Sequence, residues 1–148
     1  MMRSLGSILM LVLAAGVGAR ADTRQAQFLV QVTVPARASL VAAEQPAHLS
    51  VSEEDLVRGY KDVSARYVVE SNARQGWLLQ LSPRLGITQH IEVRGLSGTV
   101  LVRDEGVEVF RPRTREPERL ELHYRLVLAP DARPGTYDMP VHVAATPL

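Results

Sequence analysis

The chain has 148 residues, enough for one well-formed apolar core and too few for several. Its 17 Lys plus Arg stand against 16 Asp plus Glu, a formal net charge of +1, which excludes the strongly basic footprint of a general nucleic-acid binder. With no cysteine, disulfides, an acylated lipoprotein N-terminus and a cysteine nucleophile are excluded as well.

The first residues address the compartment. Arg3 precedes an apolar run at 5–17 (LGSILMLVLAAGV), shorter than the roughly 20 residues a membrane-spanning helix needs. Ala19-Arg20-Ala21 then supplies the small-x-small pattern of signal-peptide cleavage. The reading is a signal peptide over 1–21 and a mature domain over 22–148. The mature domain is expected in the periplasm, at the cell surface or outside the cell, without membrane insertion. Loss of Arg3 and Arg20 takes Lys plus Arg from 17 to 15 against 16 acids, so the mature charge becomes −1.

Strand signals follow in order. Residues 27–35 (QFLVQVTVP) alternate with period two, placing Phe28, Val30, Val32 and Val34 on one face. Short candidates follow at 38–42 and 48–51. Ser52-Glu53-Glu54-Asp55 has the form of a capping box, which predicts one helical turn over 53–58. Strands at 66–70 and 77–81 flank the polar, Gly-ending segment 71–76, a hairpin-loop signal. Residues 87–93 read as a strand, and 99–102 and 107–110 flank the turn signal Arg103-Asp104-Glu105-Gly106. Residues 119–128 alternate most clearly. After the tight connection 130–135, residues 137–145 read as one last strand, with Pro140 at an edge or bulge. No stretch sustains helical periodicity. Seven to nine short strands in one domain predict an all-β, antiparallel, immunoglobulin-like sandwich, with a small closed barrel as the alternative.

Chemistry-bearing patterns are few. His123 and His142 would approach each other only if their strands paired, and His48 and His90 lie elsewhere, so no metal site and no cofactor are expected. There is no G-x-S-x-G motif, no phosphate-cradling loop and no ordered nucleophile pattern, so the reading is not an enzyme. Glu53, Glu54 and Asp55 are explained by the charge preference of a helix start. Arg111, Arg113 and Arg115, with Arg119 further on, make a candidate anionic-ligand site in a Pro-containing loop, interrupted by Glu116 and Glu118. Tyr67, Trp77, Tyr124 and Tyr137 are spaced as core or core-edge residues.

Pro134-Gly135-Thr136-Tyr137-Asp138 running into Val141 and Val143, behind an alternating first strand and a Leu-Ser-Val segment before Gly59-Tyr60, resembles the spore coat protein U family. That family comprises secreted pilus subunits of archaic chaperone–usher fimbriae. The chain departs from it in lacking its cysteines and its Gly/Thr/Ser-rich texture, which fits a divergent, minor or merely pilin-like protein rather than a major pilin. The resemblance implies an incomplete sandwich completed by β-strand addition. Ala26, Phe28, Val30, Val32 and Val34 would then be the donated face. Its partners would be other copies or related subunits, a periplasmic chaperone and an outer-membrane usher. From the residues alone, the same alternation equally suits the first strand of its own domain. The function read here is a non-enzymatic, pilin-like structural or adhesion protein. The alternative is a self-contained periplasmic binding or accessory module for a polysaccharide, protein or metal.

Overall fold

The computed structural model describes residues 31–84 and 86–148. All elements lie in one compact unit, Val34–Leu148. In chain order they are β1 (Ala38–Glu44), β2 (His48–Val51), α1 (Glu53–Arg58), β3 (Tyr60–Ser71), β4 (Trp77–Pro83), β5 (Thr88–Arg94), β6 (Val100–Val102), β7 (Val107–Arg111), β8 (Glu118–Leu128), β9 (Gly135–Asp138) and β10 (Val141–Pro147). A five-stranded antiparallel sheet, β1-β3-β8-β5-β6, packs on a three-stranded one, β10-β4-β7, and β2 and β9 form a separate ribbon. The all-β antiparallel sandwich expected from the alternation is present, with ten strands among the described residues rather than seven to nine.

Alternation places the core. Ala65, Tyr67 and Val69 of β3, Leu120, Leu122, Tyr124 and Leu126 of β8, and Ile91 and Val93 of β5 line one sheet's inner face. Trp77, Leu79 and Leu81 of β4, with Val141 and Val143 of β10, line the other. Leu49 and Val51 of the ribbon join the same cluster. The predicted helical turn forms over its predicted residues. Ser52 caps α1, its side chain accepting from the Asp55 N–H while the Asp55 carboxylate accepts from the Ser52 N–H at 3.0 Å.

Two expectations about connections are corrected, at 71–76 and at 137–145. Segment 71–76 is not a hairpin loop: β3 and β4 lie in different sheets, so it crosses the sandwich. Gly76 allows that crossing, since its φ is +100° and a Cβ there would sit 2.5 Å from the Arg111 carbonyl oxygen. The turn expected at 103–106 forms, with the Gly106 N–H donating to the Arg103 carbonyl at 2.8 Å, and it carries the chain from β6, which pairs with β5, to β7, which pairs with β4. Residues 137–145 are two strands, not one. The break falls at Met139-Pro140, because Pro140 brings no N–H to a ladder, and β9 pairs with β2 while β10 pairs with β4.

In an immunoglobulin-type sandwich one sheet runs A-B-E-D and the other carries C, F and G. Here β1-β3-β8-β5 takes the first order, and β4 and β10 take the places of C and F. Among the described residues, no strand takes the place of G beside β10.

Candidate functional site

The two long sides of the sandwich differ in a way the connections dictate. On one side β6 passes through the 103–106 turn directly into β7, so the chain itself ties the two sheets together. On the other side the tie is the β2–β9 ribbon, with His48 opposite Asp138 and Val51 opposite Gly135. The ladder extends one step further, the Met139 N–H donating to the Ala47 carbonyl at 3.2 Å, and ends where Pro140 turns its carbonyl to the Arg84 N–H at 2.8 Å. From that fork β1 follows β3 and β10 follows β4, so the two run alongside each other as edge strands of different sheets, without a ladder between them.

Both edges are almost free of charge. β1 reads ASLVAAE and β10 reads VHVAATP, so Glu44 is the only charged residue on them, whereas the edge strand β7 (VEVFR) carries Glu108 and Arg111. Ala38 and Leu40 of β1 and Ala145 of β10 are half-buried against the core, while Val41 is 61% exposed. A long edge without charge and with apolar side chains at its rim is the kind of edge that takes an added strand.

The segment read as a strand over 27–35 leads into β1 and is described from residue 31 onward. Of the residues read as its alternating face, Ala26, Phe28 and Val30 lie outside the described residues. Residues 31–37 form no strand, and Val32 and Val34 are 76% and 71% exposed. The expected strand over 27–35 is thus absent in its described part, 31–35. The side-chain oxygen of Asn72 accepts from the Arg37 N–H at 2.6 Å, and its amide donates to the Pro35 carbonyl at 3.1 Å. The Ser71 hydroxyl donates to the Arg37 carbonyl at 3.0 Å. These bonds pin the root of the segment at the end of the molecule opposite the ribbon. Nothing local announces this clamp, since Ser71-Asn72 reads only as the start of a turn.

The remaining candidates separate. Arg111 is half-buried and ion-paired to Glu118, so the structure does not bring it together with Arg113 and Arg115, which are exposed. Arg115 instead shares a cleft with Arg37, Glu70 and Asn72. His123 and His142 lie in different sheets. His123 bonds the Ser64 hydroxyl at 2.8 Å, and His48 meets Asp138 at 3.1 Å. Among the described residues no three His, Asp or Glu side chains converge in a way that would hold a metal ion.

Two buried polar groups are held by the fold. Asp55 accepts from Lys61 at 2.8 Å, from the Ser52 backbone and hydroxyl, and from Arg58. The Lys61 bond, and after it the Ser52 N–H, hold its carboxyl well below the ordinary carboxylate range against the opposing effect of burial. The Tyr67 and Tyr124 hydroxyls meet at 3.0 Å in the core, and burial pushes both phenols up.

Together these features define an all-β sandwich in which β1 and β10 are edge strands of different sheets, carry one charged residue, Glu44, and have no further ladder partner among the described residues. Comparison with protein-family models, with curated proteins and with solved structures finds no match for this chain.

Proposed function

We propose that the protein is an exported, non-enzymatic, pilin-like subunit that works by β-strand complementation. A strand from another chain enters the open side between β1 and β10, and the segment 22–34 is the strand this chain donates. The observation that carries the reading is an uncharged β10 with a ladder partner on one side only among the described residues, together with exposed Val32 and Val34 within 31–37, which form no strand. Each apolar side chain of a donated strand that becomes buried would contribute about 1.5–3 kcal/mol, and the free edge of β10 would supply backbone hydrogen bonds. The signal-like N-terminus and the resemblance of 134–143 to spore coat protein U-type subunits support the same reading. They also name the partners it implies: further copies or related subunits, with a periplasmic chaperone and an outer-membrane usher.

The test is the assembly state of residues 22–148 and of a 35–148 deletion, by size-exclusion chromatography in graded denaturant. The expected result is denaturant-resistant oligomers from the longer chain, and from the deletion a folded monomer that takes up a peptide of residues 22–35. A stable monomer from the longer chain, with unfolding of the deletion, would mean that the segment belongs to its own domain. The self-contained binding module would then stand in its place.

A further inference from the structure

At the clamped end of the sandwich three stretches distant in sequence converge on an open cleft of about 740 Å³. Arg37 and Ser39 come from the start of β1, Glu70 and Asn72 from the end of β3, and Arg115 and Glu116 from the β7–β8 loop. Its volume lies within the roughly 300–1,000 Å³ of small-ligand clefts. The walls are held by bonds that leave the charged heads free. Asn72 and Ser71 fix the backbone at 35–37, the Thr114 hydroxyl donates to the Glu116 carbonyl at 2.8 Å, and the Arg111–Glu118 pair closes the base of the loop.

Eight of the fourteen Lys and Arg side chains among the described residues meet no carboxylate, and two of the eight line this cleft. Arg58, Lys61, Arg66, Arg94, Arg111 and Arg125 each meet a carboxylate. Arg37 and Arg115 meet none among the described residues, although Glu70 and Glu116 line the same walls and are themselves unpaired there. Two cations and two anions therefore face a shared gap. A simple polyanion is opposed by the carboxylates. A ligand with both an acidic group and several hydroxyls satisfies all four, because guanidinium groups donate to a carboxylate while Glu accepts from hydroxyls. Ala38 and Pro117 add apolar wall for a sugar ring.

We propose that this cleft binds a carboxylated saccharide, Arg37 and Arg115 holding the carboxylate and Glu70 and Glu116 the hydroxyls. The inference does not depend on strand exchange. The test is fluorescence anisotropy of labelled tetragalacturonate with residues 22–148 at physiological ionic strength. Its carboxyl-reduced neutral counterpart and a sulfated tetrasaccharide serve as comparisons. The expected result is binding of the uronate alone, weakened about tenfold or more by Arg37→Gln and by Arg115→Gln with the melting temperature unchanged, and unaltered by Arg133→Gln outside the cleft. Absence of uronate binding overturns the proposal. So does an equal loss in Arg133→Gln, which would mean diffuse charge attraction, and so does preference for the sulfated or the neutral saccharide.

Discussion

Asp55 illustrates how one residue ties sequence to fold. Its side chain is 1% exposed, yet it keeps its charge because Lys61, Arg58 and Ser52 surround it. These contacts join the first turn of α1 to the start of β3 and so fix the crossover out of the ribbon. A carboxyl whose folded pKa lies below its unfolded value contributes stability in full above the unfolded pKa, near 3.9, and loses it as pH falls toward the folded value. Melting curves of the wild type and of Asp55→Asn should therefore differ at pH 7, with the wild type more stable, and should draw together progressively as pH falls below about 4. Parallel curves over that range would refute the assignment. The Tyr67–Tyr124 pair makes a second prediction of the same kind. Either Tyr→Phe change leaves one buried hydroxyl without its partner and should cost about 1–3 kcal/mol in urea unfolding. The double change should cost clearly less than the sum of the two, and strict additivity would argue against a shared bond.

At the scale of elements, what was legible in the sequence followed the range over which the physics acts. The capping box of α1 involves four consecutive residues, and β8 alternates along a single strand, so both could be read directly. The routes between sheets could not. The polar segment 71–76 has turn chemistry whether the next strand pairs with β3 or crosses over, and only the approach of Gly76 to the Arg111 carbonyl decides the matter. Likewise Arg111, Arg113 and Arg115 are neighbours in sequence, but strand geometry turns Arg111 inward to Glu118 and leaves Arg115 beside Arg37. The division of the edge strands β1 and β10 between sheets is also an element-scale property, since Pro140 ends the ribbon and β10 then pairs with β4. The apolar rim of these strands should be sensitive to charge. Leu40→Asp and Ala145→Asp, each at a half-buried position packed against the core on an edge strand, should reduce uptake of the 22–35 peptide by the 35–148 chain at least about tenfold, because inward-pointing charges block edge pairing. Ser39→Asp, on an exposed position of the same strand, should have little effect. Peptide uptake is read by anisotropy, and equal losses in all three would point to unfolding rather than to the rim.

For the whole molecule, the proposed strand addition sets what stability can mean. A sandwich tied on one side by the 103–106 turn and on the other by the four-residue ribbon has, among the described residues, no ladder partner on the outer side of β10. Any strand that binds the folded state and not the unfolded one must raise stability by mass action, by about 2.7 kcal/mol when free peptide is a hundredfold above its Kd. The melting temperature of the 35–148 chain should therefore climb steadily with the concentration of the 22–35 peptide. If the strand comes from another copy, the 22–148 chain should already melt higher, and its melting point should depend on protein concentration. A strand supplied by its own chain would give a different pattern. The longer chain would then melt at the same temperature at every concentration, added peptide would leave it unchanged, and the deletion would unfold. Concentration dependence thus separates a subunit completed by its neighbour from a domain completed by itself.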